Sequence, residues 1–326
     1  MESSFAAIRR LRDDKMGEAA HDHFTLNKFH DEIMKLTIKK ALEIITNQLG
    51  PLPCSFCFFV MGSAGRMEQS LWSDQDHGIV YREKNDEVKN YFWQLGKEIS
   101  RGLFDAGYQY CDGGVMASNL LWCKSLEEWQ IQISNWLDES NWESIRYLMI
   151  FMDARPLFGE ELYVQMLKEQ IYYIQNKSVQ MTKFLNNSLY MKKGINVLGK
   201  LLTETHGPYT GSLNIKEIGL FPYVNAARLL ALKENHQEPS TVARIGGASE
   251  AILPSRLKDL YQHQFIQLLN YRLSYAQHSN YHTGHYLPIN KLTKEEMKEF
   301  KDIIRNGTAL FNTVRKLIEK EDSYGN

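Results

Sequence analysis

Apolar positions between Phe24 and Leu49 predict a helix, because Phe29, Ile33, Leu36, Ala41, Ile44, Ile45 and Leu49 recur mostly at three- and four-residue steps. Gly50-Pro51-Leu52-Pro53 then breaks the run. Cys54–Met61 is a short continuous apolar stretch ending at Gly62, and its length and flanking Pro and Gly predict a buried strand. His77–Tyr81 predicts the next strand. Val88, Tyr91, Phe92, Leu95, Ile99 and Leu103 give a helical stripe that ends at Gly107. Tyr108–Cys111 predicts a third short strand, closed by Gly113-Gly114. Ser125-Leu-Glu-Glu128 has capping-box spacing and opens a helix with Trp129, Ile133, Trp136 and Leu137 on one face. Strands alternating with helices imply a small α/β unit.

Beyond Glu143 the pattern is almost wholly helical. Leu257, Leu260, Tyr261, Leu268 and Leu269 form one stripe. A second capping box, Thr293-Lys-Glu-Glu296, precedes Met297, Phe300, Ile303, Leu310, Val314 and Leu317. The second half is therefore expected to be a helical bundle.

Composition narrows the function classes. A chain of 326 residues is long enough for about two domains. Its 38 Lys+Arg against 39 Asp+Glu argue against a bulk nucleic-acid binder, and 43% hydrophobic residues argue against a disordered polyanion. No apolar run approaches the roughly 20 residues needed to span a bilayer. Met1–Asp14 has no apolar signal region, and four cysteines do not make a disulfide framework. A soluble, cytoplasmic protein without membrane attachment is expected. All six Trp lie between Trp72 and Trp142, which suggests a junction after that point.

The chemistry-bearing stretch is Gly62-Ser63-Ala64-Gly65-Arg66-Met67-Glu68, followed by Ser73-Asp74-Gln75-Asp76. A strand running into a Gly-Ser turn lets backbone N–H groups approach a phosphate ahead of a helix N-terminus. Arg66 is expected to add a fork of donors. Asp74 and Asp76, two apart at a strand start, point to one face. Adjacent carboxylates repel unless a cation lies between them, and Mg²⁺ (or Mn²⁺) suits oxygen ligands that it shares with substrate phosphates.

Gly-Ser followed after ten residues by Asp-x-Asp resembles the signature of the polymerase-beta-type nucleotidyltransferase superfamily. The fuller string Gly62 to Gln69 with Ser73-Asp-Gln-Asp-His77 is similar to the nucleotidyltransferase family related to the PII-uridylyltransferase catalytic domain. Cys111-Asp-Gly-Gly-Val-Met-Ala117 and Asp153-Ala-Arg-Pro-Leu-Phe-Gly159 match further landmarks of that family. Leu213–Lys216 and Asn225–Leu232 look like its helical C-terminal domain. The resemblance runs from roughly residue 25 to 320. It departs in that the chain shows no CBS pair ahead of the catalytic domain, and Asn214 stands where Asp is more usual.

The resemblance implies metal-dependent transfer of a nucleoside monophosphate from a nucleoside triphosphate to an acceptor hydroxyl. Gly62, Ser63, Gly65 and Arg66 would hold the nucleotide, joined by Lys216 and Arg228 from the helical half. Asp74 and Asp76 would hold the metal. The third carboxylate of active superfamily members would be Asp112 or Asp153. The acceptor is expected to be a protein or small molecule rather than nucleic acid. The alternative is a catalytically weak or inactive nucleotide-sensing module acting through a partner protein.

Other features point to ordinary structure. Cys54-x-x-Cys57 has no second close pair for zinc and lies in a predicted strand. His278, His282 and His285 have helical spacing, but Ser279-Asn280 and Thr283-Gly284 favour a loop with exposed histidines. Lys192-Lys193 reads as a solvated face and the Trp cluster as core. The expected architecture is α+β. A helical segment at residues 1–49 precedes a small mixed-sheet nucleotidyltransferase domain at 50–160. An all-helical substrate-binding domain follows at 161–326, with the active site expected in the cleft between the two.

Overall fold

In the computed structural model the described residues are 5–175, 181–276 and 279–324. They form two compact units. One comprises Met1–Glu139 with Ile150–Tyr173, the other Ser140–Met149 with Ile174–Asn326. Among the described residues no helix is long and apolar enough to cross a membrane.

The first unit begins with α1 (Ala6–Ala19) and α2 (His23–Leu49). Asp22 caps α2 through the N–H groups of Phe24 and Thr25. Of the predicted stripe, Phe29, Ile33, Ala41 and Ile45 are buried, while Leu36 and Leu49 are exposed. Next come β1 (Phe56–Val60), the one-turn α3 (Gly62–Gly65), β2 (Asp74–Gln75) and β3 (His77–Tyr81). They are followed by α4 (Asp86–Asp105), β4 (Gln109–Tyr110), β5 (Cys123–Ser125) and α5 (Leu126–Glu139). α6 (Trp142–Phe151), most of which belongs to the second unit, leads back into β6 (Arg155–Gly159) and α7 (Leu162–Gln175).

The main sheet has the order β5-β3-β1-β6. β1 is antiparallel to both its neighbours, and β3 is parallel to β5. All five residues of β1 and all five of β3, His77 included, are buried, as the central position of both strands in the sheet requires. Phe59, Trp129 and Phe151 meet edge-on or tilted across one part of the sheet. Each such ring contributes about 1.5–3 kcal/mol through burial. Trp122, Trp129 and Trp136 pack together as core, and Trp129 donates its indole N–H to the Ile79 carbonyl.

Two strand predictions need correction. The third strand is only Gln109–Tyr110, and it pairs in parallel with β2 in a separate ribbon. The main sheet is instead completed by Cys123–Ser125 and Arg155–Gly159, the latter in a region that reads as helical. β6 contains Pro156, which an edge strand tolerates because one of its sides makes no ladder bonds.

The second unit holds α8 (Met181–Ser188), β7 (Ser212–Asn214), α9 (Phe221–Glu234), α10 (Thr241–Gly247), α11 (Ser255–Tyr275), β8 (Tyr286–Pro288) and α12 (Lys294–Tyr324). It is mainly helical, and the antiparallel β7–β8 ribbon and an isolated Ile195–Leu201 bridge are small departures from the all-helical expectation. α9 is buried on nearly every side, and Tyr223 within it donates its hydroxyl to the Ile303 carbonyl and the Gln264 amide oxygen. On α11, Tyr261, Phe265, Leu268 and Leu269 are buried, whereas the predicted Leu257 and Leu260 are exposed. Both capping boxes form, with Glu128 accepting from Ser125 and Glu296 from Thr293.

Candidate active site

β1 ends at Val60, and Met61 donates its N–H to the Asp76 carbonyl at 2.8 Å. That bond ties the Gly-Ser turn to the stretch carrying the paired carboxylates. Gly62 has φ +54°, and a Cβ there would lie 2.1 Å from Asp76 Oδ2. Only glycine fits, both for its left-handed backbone and for the space the carboxylate takes. Gly62 opens α3, whose first N–H groups have no acceptor within the helix. Gly65 closes it against the Asp153 carbonyl, which a Cβ would approach to 2.1 Å.

Strand alternation arranges Ser73-Asp-Gln-Asp-His77. Gln75 and His77 turn inward and are buried, while Asp74 and Asp76 are half-exposed. Gln75 donates to the carbonyls of Ser100 and Tyr108. Its amide oxygen faces His77 Nε2 at 3.0 Å, and His77 Nδ1 accepts from the Ala117 N–H. This fixes the neutral imidazole with its proton on Nε2, and burial holds its pKa down to about 3.

A ligand atom from each of Asp74, Asp76 and Cys111 lies within 4.8 Å of the others. Cys111 follows β4 just as Asp76 follows β2, and the parallel register pairs Asp74 with Gln109 and Gln75 with Tyr110. Burial and then the neighbouring carboxylates push the Cys111 thiol up to about 12, and it donates a hydrogen bond to Asp76. Two carboxylates and a sulfur converging beside a Cβ-free glycine form a donor set that fits a divalent cation.

The segment between the turn and the aspartates is held from below. Arg66 donates Nε to Glu68 at 2.7 Å and Nη1 to Asp153 at 2.5 Å, with all three side chains largely or wholly buried. Burial opposes the Arg66 charge, but the two carboxylates outweigh it and raise its pKa. The guanidinium expected to meet phosphate is thus committed to two protein carboxylates. Asp153, one of the two alternatives for the third carboxylate, is completely buried in that pair. Asp112, the other alternative, is exposed in the turn that follows Cys111. Neither joins the cluster of Asp74, Asp76 and Cys111.

Arg155 donates to both Asp31 oxygens at 2.8 Å and to the carbonyls of Ala64 and Gly65, so it caps the end of α3. Asn27 brackets Gln69 by accepting from its N–H and donating to its carbonyl. His30 meets the Ser70 carbonyl through Nε2 and the Tyr108 hydroxyl through Nδ1. Arg12 donates to the Leu71 carbonyl and lies over the rings of Trp72 and Tyr108. Asn27, His30, Asp31, Gln75, His77 and Arg155 escape sequence reasoning. A polar residue on the apolar face of α2, such as Asn27 or His30, is the one signal that marks this support.

Lys216 and Arg228 belong to the second unit. Lys216 Nζ contacts the Tyr281 hydroxyl at 3.2 Å, and Arg228 lies half-buried on α9 near Asn225. Asn214 exchanges hydrogen bonds with Glu217, and Lys192 pairs with Glu217. His278 lies outside the described residues. His282 is exposed, but His285 is half-buried against Arg272, and burial followed by nearby cations lowers its pKa to about 2. Cys57 is buried in β1 and burial pushes its thiol up to about 12, while Cys54 lies before the strand.

Residues 8–143 match the family model described as "Putative nucleotidyltransferase DUF294", which takes in most of α1, all of α2 and all of the Asp74–Asp76–Cys111 cluster. Residues 178–317 match the model described as "Putative nucleotidyltransferase substrate binding domain". No curated protein matches the chain.

Proposed function

The chain belongs to the nucleotidyltransferase family that these two models describe, and from that premise we propose that it moves a nucleoside monophosphate from a nucleoside triphosphate to an acceptor hydroxyl. The observation that carries this reading is the Asp74–Asp76 carboxylate pair beside the Gly62-Ser63 turn. Asp74 and Asp76 would hold Mg²⁺ or Mn²⁺. Such an ion, when bound, neutralises triphosphate charge and makes the acceptor hydroxyl a better nucleophile.

The remaining work belongs to the chain. Backbone N–H groups at Gly62 and Ser63 receive phosphate oxygens, and Gly65 lets the turn sit tightly on Asp153. Arg66 acts beneath the site, bracing the loop through Glu68 and Asp153. Lys216 and Arg228, which the resemblance assigns to nucleotide binding, are carried by the substrate-binding unit. A protein or small-molecule acceptor fits a chain whose net charge is −1 better than a polyanionic one.

One observation favours a second reading, nucleotide binding without turnover. The third group of the cluster is a thiol, where the superfamily that the chain resembles often carries a carboxylate. A single assay separates the two. The chain is incubated with Mg²⁺ or Mn²⁺, each α-labelled nucleoside triphosphate in turn, and a lysate of its host. Label transfer that disappears in Asp74→Asn and Asp76→Asn supports the enzyme. Tight nucleotide binding with no transfer under any of the four nucleotides sinks it in favour of the sensor.

A further inference from the structure

Cys111 occupies the position by the paired aspartates for which two carboxylates, Asp112 and Asp153, compete in the sequence. Its Sγ and one oxygen from each of Asp74 and Asp76 are mutually within 4.8 Å, close enough to close on one ion. The arrangement is built into the backbone. Parallel pairing of β2 with β4 carries Asp76 and Cys111 side by side, and the thiol already hydrogen-bonds to Asp76. Gly62 leaves open the space that any other residue's Cβ would fill against the Asp76 carboxylate.

We propose that Cys111 is the third protein ligand of the cation held by Asp74 and Asp76, and that this mixed carboxylate–thiolate set selects a borderline divalent cation, of the iron-to-zinc class, over magnesium. The inference rests on the reading of this cluster as the metal position of the nucleotidyltransferase. Mg²⁺ takes oxygen ligands almost exclusively and gains little from sulfur. Thiolate ligands strengthen progressively toward zinc and its heavier congener cadmium. On coordination the Sγ–H bond breaks, the Sγ–metal bond forms, and the proton leaves to solvent. In a two-carboxylate site with Cys111 as a bystander, whatever preference exists would not depend on Cys111.

The test uses the full chain stripped of metal with a chelator. Cd²⁺ is titrated while the ultraviolet thiolate-to-cadmium charge-transfer band is followed, and Mg²⁺ and Mn²⁺ are titrated by calorimetry. The band is expected to saturate at one equivalent in the native chain. It should vanish in Cys111→Ser, although Cys54, Cys57 and Cys123 remain. Cys111→Ser should weaken Cd²⁺ binding about 10- to 100-fold and change Mg²⁺ binding by less than about threefold. Persistence of the band in Cys111→Ser, its absence from the native chain, or an equal loss for Cd²⁺ and Mg²⁺ overturns the proposal.

A second measurement needs no variant. Maleimide labelling of the native chain, read by mass spectrometry, should be slowed by Zn²⁺ at Cys111 and not at Cys54. Equal labelling with and without Zn²⁺ counts against the proposal. The transfer assay stays separate. A Cys111-dependent cadmium band without transfer retains the cation site and removes turnover, whereas Mg²⁺-supported transfer without the band removes only the role of Cys111.

Discussion

Gly62 and Asp76 occupy the same small volume. With φ +54°, the glycine brings its backbone so close to the carboxylate that a Cβ would sit 2.1 Å from Oδ2. Gly62→Ala must therefore move Asp76 or the turn, in addition to straining a left-handed backbone by about 1–2 kcal/mol. The expected outcome is a folded chain of modestly lowered stability that loses Mn²⁺ binding. Calorimetric titration beside a urea melt checks this, and unchanged Mn²⁺ affinity contradicts the close packing.

The buried Arg66–Asp153 pair predicts a larger, purely structural effect. Asp153→Asn leaves a guanidinium with one carboxylate instead of two in a dry setting. Arg66→Ala strands both Glu68 and Asp153. Breaking a buried pair from one side costs about 3–5 kcal/mol. The urea midpoint of Arg66→Ala should fall accordingly. If the midpoint is preserved while nucleotide binding is lost, Arg66 is a phosphate ligand after all.

Arg155 distributes one guanidinium over Asp31, Ala64 and Gly65. Lysine cannot span that set of acceptors. Arg155→Lys should cost about 1.5–3 kcal/mol and loosen α3, slowing label transfer without changing which nucleotide is used. Chemical denaturation and the transfer assay together test it. An unchanged midpoint removes Arg155 from the support of the turn.

His30 gives a pH dependence. It is fully buried and neutral, and burial, helped by the Arg12 charge, lowers its pKa to about 3. The unfolded chain binds a proton near the ordinary histidine value of about 6.5, so it holds more protons than the folded chain between those two values. The stability that His30 contributes is therefore complete above about pH 6.5. It is lost as pH falls toward 3, by up to about 1.4 kcal/mol per pH unit. Urea melts at several pH values should show a shallower slope over this range in His30→Gln than in the native chain. An identical slope would assign the acid sensitivity to other groups.

The legible parts of the fold were local. β3 coincides with the predicted His77–Tyr81, both capping boxes form, and the α4 stripe from Val88 to Leu103 is buried as its spacing requires. β6 was not legible, because Arg-Pro-Leu-Phe-Gly has neither alternation nor an apolar run and becomes a strand only by pairing with β1. Cys111 was overlooked for its neighbour Asp112, since chemistry by residue type favours the carboxylate. The parallel register of β2 with β4 instead brings the residue just after β4, Cys111, beside Asp76 and leaves Asp112 exposed in the turn.

By itself, then, the sequence determined the strand, the Gly-Ser turn and the two aspartates on one face, along with the family their spacing resembles. Those features depend on bond geometry and side-chain period over a few residues. Tertiary structure alone decided that Arg66 serves Glu68 and Asp153 rather than standing open, that α2 and Arg155 brace the turn, and that a cysteine lies beside the carboxylate pair. The physical reason is the same in each case. A charged or ligating side chain takes its role from the partner that burial and strand pairing bring within about 3–5 Å, and that partner lies far away along the chain.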